Sequence, residues 1–532
     1  MSAISIQNIS FHYTSPYNVI FENLSLSLDV SWKTGLVGRN GRGKTTLLRL
    51  LTQELNPTTG SISLAVNLFY FPYTPSSPSS ATLDVIKESI APYKLWEKKM
   101  DELLKKATDD NMVKYAEILD KYQAEQGYEI DSLIEREAGR LGLTGTYLNR
   151  PFDSLSGGEQ TRALIIPLFL KNNILPALDE PIDHLDMKGR DLLADYLAQK
   201  QEGFLLASHD RFILDACTDH IVSINKSDIR INQGNFSTWK TQMEIEEESE
   251  RRRNENLNRE VANLEEEARK RRKWSDTKEK EKIGATGKHT DKGFISHKAT
   301  KMMKRALTAE RHKEKNLVEK KELLKNYEYQ KKLKLSKENR SPDILLSVEN
   351  ISVSFDEMKI INDLSFTVYK NERIAITGEN GCGKTTLVNA ITGDVSLDNG
   401  CIRLPNYVSV ARAFQNPKWR AGLLRNHLKQ DGIEETRFRN IMAAFKIQGE
   451  IFDRPLETFS RGELKKVDLC CSFINPVNLL IWDEPMNYLD IASREQIEEV
   501  ILEFEPTMLF IDHDRYFLNS IATDTFELPK IN

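Results

Sequence analysis

Two α/β domains of one plan, sharing a single chain and joined by a long helical hairpin, are what this sequence predicts. Three observations carry the prediction. The stretches "GLVGRNGRGKTTLLRL" and "AITGENGCGKTTLVNA" both fit G-x-x-x-x-G-K-[ST], with Lys44 and Lys384 standing 340 residues apart. Three further stretches recur in order: "LSGGEQTRA", "ALDEPIDHLD" and "LLASHDR", then "FSRGELKKV", "IWDEPMNYLD" and "LFIDHDR". Ser156 and Ser460, Glu180 and Glu484, and His209 and His513 are each separated by 304 residues. Between the copies, residues 251–340 hold 29 Lys/Arg against 15 Asp/Glu, a net +14 that leaves −19 for the rest of the chain, whose total is −5. A basic insert in an acidic protein suggests a polyanionic partner, and a solvated helical linker is the other reading.

Length and composition bound the rest. At 532 residues the chain is too long for one ordinary domain, and 39% hydrophobic residues suffice for packed cores. No apolar run approaches the 18 or so residues that a membrane span needs. The start "MSAISIQNISFHY" alternates like a strand and lacks the features of a signal peptide, so the expectation is a cytoplasmic protein. Cys217, Cys382, Cys401, Cys470 and Cys471 follow no metal-ligand spacing and read as reduced thiols.

Each glycine-rich loop follows a β-type run (34–37 and 374–377) and precedes a helix-compatible one, the context a P-loop requires. Backbone N–H groups can approach phosphates closely only where no Cβ intervenes, and the helix N-terminus adds positive potential. The candidate nucleotide-binding residues are Gly38, Asn40, Gly41, Gly43, Lys44, Thr45 and Thr46, then Gly378, Asn380, Gly381, Gly383, Lys384, Thr385 and Thr386. Lys44 and Lys384 are placed to reach the terminal phosphates of ATP, and the hydroxyls of Thr45 and Thr385 to sit on Mg²⁺.

The combination of P-loop, signature loop, Asp-Glu-Pro and histidine resembles the ATP-binding cassette family over about 450 residues in two blocks. The resemblance implies the remaining roles. Asp179 and Asp483 would hold Mg²⁺, with Gln415 of "RAFQNP" as a further metal contact. Glu180 and Glu484 would orient the attacking water, and His209 and His513 would sense the γ-phosphate. Ser156, Gly157 and Gly158, and Ser460 and Gly462, open helices whose amides would bind a phosphate held by the opposite half. The halves must then meet head to tail: Lys44, Glu180 and His209 with the signature at Ser460, and Lys384, Glu484 and His513 with that at Ser156.

Departures from the family pattern set the two sites apart. The second signature carries Arg461 and Leu464 where the first has glycine and Gln160, and the site it completes is expected to hydrolyse more slowly. Where the second half offers Gln415, the first reads Tyr73. Pro176 precedes Asp179, so that strand is expected to begin only after the proline. Tyr13 and Phe355 stand at comparable positions for stacking on adenine or for ordinary strand packing.

Domain boundaries follow: 1–234 for the first cassette, with a helical arm over about 85–130; 235–342 for the basic hairpin linker, with its tip over about 275–300; and 343–532 for the second cassette. The arm reading rests on 36 residues that the first half has and the second lacks between the P-loop lysine and the signature serine. In the linker, Leu257, Val261, Leu264 and Ala268 give one narrow apolar seam, and a second helix runs through Met302, Met303 and Ala306. The tip combines Gly284, Gly287 and Gly293 with Lys288, Lys292 and Lys298 and the apolar Phe294 and Ile295, a composition suited to a crowded, phosphate-lined RNA cleft.

Two cassettes, an arm in the first and a charged linker between them resemble the ABC-F proteins, and the tip resembles members that protect ribosomes from lincosamides, pleuromutilins and streptogramin A. The resemblance implies a monomeric ATPase needing no further protein subunit. Its partner would be the 70S ribosome, met near the tRNA exit site through 23S rRNA and the P-site tRNA, with no membrane involved. A housekeeping factor relieving stalled ribosomes, the energising subunit of a transporter and a DNA-structure ATPase remain open alternatives. The basic linker and Tyr73 speak against the transporter. For the DNA-structure ATPase a longer coiled coil or a basic tail after His513 would be expected.

Overall fold

The computed structural model describes residues 3–14, 17–105, 108–225, 228–253, 344–355, 358–444, 449–474 and 477–531, with Glu255, Arg259 and Glu266. The chain divides into two units, Met1–Ser237 with Gln330–Asn532, and Thr238–Tyr329. The tip residues Lys288, Lys292, Phe294, Ile295 and Lys298, the seam residues Leu257, Val261, Leu264 and Ala268 and the helix expected through Met302 all lie outside the described residues.

In the first unit the repeat is structural. The first half contributes β1 (Ala3–Thr14), β2 (Tyr17–Asp29), β3 (Lys33–Gly38), β4 (Thr59–Leu64), β5 (Asn67–Phe71), β6 (Ile174–Asp179), β7 (Phe204–Ala207), β8 (His220–Ile224) and β9 (Ile229–Gln233). The second contributes β10 (Ile344–Phe355), β11 (Met358–Tyr369), β12 (Arg373–Thr377), β13 (Asn399–Arg403), β14 (Val410–Ala413), β15 (Leu479–Asp483), β16 (Met508–Ile511) and β17 (Asp524–Glu527). The larger sheets run β5-β6-β7-β3-β8-β9 and β14-β15-β16-β12-β17, matching strand for strand up to β9, which has no counterpart among the described residues, and the smaller antiparallel ones run β2-β1-β4 and β11-β10-β13.

Composition explains the layers. β7 (FLLA), β15 (LLIWD) and β16 (MLFI) are wholly buried and, but for Asp483 at the end of β15, apolar, as parallel strands covered on both faces must be. β1 buries Ile4, Ile6, Ile9 and Phe11, with the alternation shifted where Asn8 takes φ 48°; β10 repeats this at Asn350, φ 49°. Since β3 lies between β7 and β8, with β6 next in order, the P-loop, Asp179 and His209 all emerge at the carboxyl ends of neighbouring strands. That crevice is where open α/β sheets bind ligands.

The first half of β6 corrects one expectation. The strand begins at Ile174 and includes Pro176, which pairs with Phe69 of β5. Pairing with β7 starts only at Ala177, so the proline lies where β6 has a partner on one side, and its missing N–H breaks no ladder there.

The expected arm, about 85–130, falls on several helices. Val85, Ile86 and Ile90 of the helix Thr82–Ile90 are buried in the body, and the hairpin proper consists of Tyr93–Lys105 and Asp109–Ala124. Each of those two helices buries a single residue, Tyr93 or Tyr122, which meet edge to face at 5.9 Å. Farther along, Leu104, Met112 and Val113 are exposed. Among the described residues, no helix is long and apolar enough to cross a membrane.

In the second unit the described residues are helical. Arg252 pairs with Glu248 at 2.7 Å and Lys240 with Glu244 at 3.8 Å, both at i,i+4, and Ile245 is exposed, as on a solvated helix.

Candidate active sites between the cassettes

Both P-loops need glycine before the lysine. At Gly43 the backbone has φ 96° and a Cβ would sit 2.5 Å from Ile20 Cγ2; at Gly383 φ is 100° and the approach is 2.6 Å to Ile360 Cγ2. The helices Lys44–Leu51 and Lys384–Ile391 start there. Lys44 is buried, its Nζ donating to Gly38 O at 3.0 Å and lying 2.9 Å from His209 Nε2. Burial first, and then Lys44, holds the His209 pKa well below the usual value. Lys384 instead donates to Gly378 O at 2.8 Å and Glu379 O at 2.9 Å.

The cassettes meet head to tail. Asn40 N donates to Asp490 Oδ2 at 3.0 Å and its side-chain amide to Tyr488 O at 2.8 Å; in mirror fashion Asn380 N donates to Asp186 Oδ2 and its amide to His184 O, both at 3.3 Å. Against the upward push of burial, Lys466 and hydrogen bonds from Ser493 and Asn40 hold Asp490 well below the usual carboxylate range. Ser156, Gly157 and Gly158 share a cleft of about 560 Å³ with Gly381, Gly383, Lys384, Thr385, Thr386, Gln415, Glu484 and His513, and Phe355 lies on its wall. Tyr13 bonds Thr46 Oγ1 at 3.1 Å.

Each signature serine caps its helix. Ser156 Oγ accepts from Glu159 N and Ser460 Oγ from Glu463 N, while both glutamates accept from the serine amides. Arg461 takes the place of Gly157 and stacks over Tyr488 at 5.4 Å. Gly462 is forced: a Cβ would meet Tyr488 O at 2.6 Å and Asn40 Nδ2 at 2.7 Å. Gly462→Ala is therefore expected to hold the first site open and to slow its turnover by about tenfold or more. Single-turnover hydrolysis in a Glu484→Gln background, where only the first site works, checks this; an unchanged rate would show that the closed contact is dispensable.

The two sites differ in what faces the glutamate. Glu180 and Glu484 share a left-handed backbone (φ 47° and 49°) and are anchored by N–H bonds to Ala207 O and Ile511 O, both at 2.9 Å. Glu180 accepts from His209 N at 3.2 Å, and its other oxygen has no hydrogen-bond partner. Burial, then the Asp183 carboxylate, push its pKa up to about 8 against the pull of Lys44. At the position of Asp183 the second half has Asn487, which donates to Glu484 Oε2 at 2.6 Å, joined by Gln415 Nε2 at 3.0 Å. Tyr73, standing where Gln415 does, donates to Leu164 O at 3.2 Å instead.

Metal chemistry fits the donors. Neither oxygen of the buried Asp483 makes a hydrogen bond within ordinary limits, although the nearby Thr385 hydroxyl works to lower its pKa; burial and Glu484 raise it on balance. A carboxylate left bare beside a threonine hydroxyl and a phosphate loop suits Mg²⁺, which takes one or two protein oxygens alongside phosphate oxygens. Asp179 and Thr45 would hold it at the first site, with one Asp179 oxygen already accepting from Tyr70 at 2.9 Å. Bound there, Mg²⁺ would neutralise phosphate charge. Sequence reasoning missed Asp186 and Asp490, although both end the D-E-P-x-x-x-L-D stretches at the same 304-residue spacing. Nothing in the spacing marked Tyr70.

Comparison with known proteins agrees with this layout. A family model described as ABC transporter matches residues 21–183 and 361–487, more than half of the chain and once in each half. The chain is 28% identical to ABC transporter F family member 2 of Arabidopsis thaliana, over 99% of this chain and 76% of that protein. It is 26% identical to the ribosome protection protein VmlR of Bacillus subtilis (strain 168), over 97% of this chain and 84% of that one. The fold resembles that of archaeal ribosome recycling factor aABCE1, solved with stalk protein aP1, at a TM-score of 0.58 and 17% identity over 98% of this chain and 87% of that one. The chain belongs to the ATP-binding cassette family, with the ABC-F proteins, and is an ATPase that uses ATP with Mg²⁺.

Proposed function

We propose that this chain is a cytoplasmic, ribosome-binding ABC-F ATPase that protects the ribosome from antibiotics acting at the peptidyl-transferase centre. The cross-cassette contacts of Asn40 with Asp490 and of Asn380 with Asp186 carry the reading. They make closure a state in which each P-loop is completed by the other half, so that ATP favours one arrangement of the linked cassettes over another. ATP-bound closure then grips the ribosome near the tRNA exit site and hydrolysis releases it. Asp179 and Asp483 hold Mg²⁺, Glu180 and Glu484 orient water, and His209 and His513 sense the γ-phosphate. Similarity to a ribosome protection protein over 97% of this chain supports the partner, and the +14 segment supports binding to 23S rRNA and tRNA.

The test is drug susceptibility of a sensitive host with and without the gene, across lincosamides, pleuromutilins, streptogramin A, phenicols and macrolides. Relief of stalled ribosomes without drug is the second reading. ATP-dependent pelleting with ribosomes and no change in susceptibility would select it.

The linker separates two contributions. Lys288→Ala, Lys292→Ala or Lys298→Ala is expected to weaken ribosome binding and to lower the salt slope by about 0.7–0.9 for each phosphate that the variant leaves unneutralised. Phe294→Ala or Ile295→Ala should leave ribosome binding and ATP turnover nearly unchanged while abolishing protection. Full resistance after deletion of residues 284–293 would remove the tip from the proposal.

A further inference from the structure

We propose that Lys465 and Asp468, buried on the helix Arg461–Ser472, are positioning residues that hold Gln415 against Glu484 and so set the rate of the second site. Gln415 is exposed, so packing of its own side chain does not fix it. What is fixed is the residue before it. Lys465 Nζ donates to Phe414 O at 2.6 Å, and Asp468 Oδ2 accepts from Phe414 N at 2.8 Å, so both backbone polar groups of Phe414 are held by one turn of helix. Lys465 Nζ also donates to Asp483 O at 3.0 Å, tying the loop to the strand end that carries Glu484. Lys465 is 1% exposed and Asp468 5%. An ammonium is not buried this deeply without compensation, and here the Asp468, Asp483, Asp512 and Glu484 carboxylates face it.

The first cassette lacks the device. The equivalent positions are Thr161 and Leu164, and the Leu164 carbonyl takes the Tyr73 hydroxyl. There, Glu180 keeps an oxygen without a hydrogen-bond partner, whereas Glu484 receives Gln415 and Asn487. The charged clamp and the glutamine contact thus occur together in one half and are missing together from the other.

The inference rests on the reading of Glu484 as the residue that orients water, and the test separates the two. In a Glu180→Gln background only the second site turns over, and adding Glu484→Gln should abolish that turnover; if it does not, the reading of the site fails before this one. Lys465→Thr with Asp468→Leu installs the first cassette's residues and removes both charges together. That double variant is expected to lower kcat of the second site by about 10- to 100-fold with KM for ATP unchanged, the effect of a misplaced group. First-site turnover in the Glu484→Gln background should stay the same. Asp468→Asn, which keeps an acceptor for Phe414 N, should retain more kcat than the double variant. An unchanged kcat in the double variant, or an equal loss at both sites, overturns the proposal. Should the double variant fail to fold, the surface substitution Gln415→Ala decides: it must reproduce the kcat loss, and wild-type kcat overturns the proposal.

Discussion

Exchanging Glu180 and Glu484 together for Gln is expected to lower ATP hydrolysis by about 10²- to 10⁴-fold, the range general-base groups contribute, and to leave the chain on ribosomes as long as ATP is present. Glutamine keeps the shape and the acceptor that Glu180 offers to His209 N, and the left-handed backbone at both positions is held by N–H bonds to the neighbouring strand. Phosphate contacts from Lys44, Lys384 and the P-loop amides are untouched, so ATP binding and closure persist while release is blocked. Co-sedimentation with and without ATP reads this directly, and equal pelleting in both would sink the gating reading. The single variants should be unequal. Glu484 is oriented by Asn487 and Gln415, whereas Glu180 faces the Asp183 carboxylate and keeps one oxygen without a hydrogen-bond partner. Glu484→Gln should therefore remove the larger share of turnover.

Arg211→Met is expected to weaken closure of the cassettes by about 3–5 kcal/mol, because it leaves the buried Glu498 carboxylate of the opposite half without its cation, while Asp514 keeps Arg494. Arg211 Nη1 donates to Glu498 Oε2 at 3.0 Å, a second guanidinium nitrogen pairs with Glu498 Oε1, and Asp514 lies 3.5 Å away. All three side chains are buried. Arg211 also stacks over Tyr516 at 4.8 Å, and the counterpart Arg515 pairs with Asp191 and stacks over Phe212 at 4.6 Å. The cost falls on the joining of the halves more than on the folding of either. At about 1.4 kcal/mol per factor of ten, the equilibrium constant for closure should fall by at least about 100-fold. Small-angle scattering across an ATP titration measures it. The double variant Arg211→Met with Glu498→Met should recover much of the loss, since the unpaired charge is gone; closure unaffected in the single variant would show the pair to be superfluous.

What the sequence by itself determined was the repeated plan. Glycines at fixed places in a strand–loop–helix, an acidic pair ending an apolar run and a serine opening a helix do their work through local backbone geometry, and local geometry is written in short stretches. The same locality misleads at Pro176: a general rule about prolines in central strands carries no knowledge that β6 is paired on one side only at that point. Asp186 and Asp490 are visible in the repeat but their use is not, because a carboxylate shows its partner only once the opposite P-loop stands beside it. Tertiary structure alone decided which half completes which site in atomic detail, that Asp183 and Asn487 place opposite demands on the two glutamates, that Tyr70 occupies Asp179, and that Lys465 and Asp468 grip Phe414. These contacts join residues up to 450 positions apart, and they depend on sheet order and on the docking of one cassette against the other. No periodicity records that, because burial and charge pairing are properties of the assembled surfaces and not of the stretches that meet there.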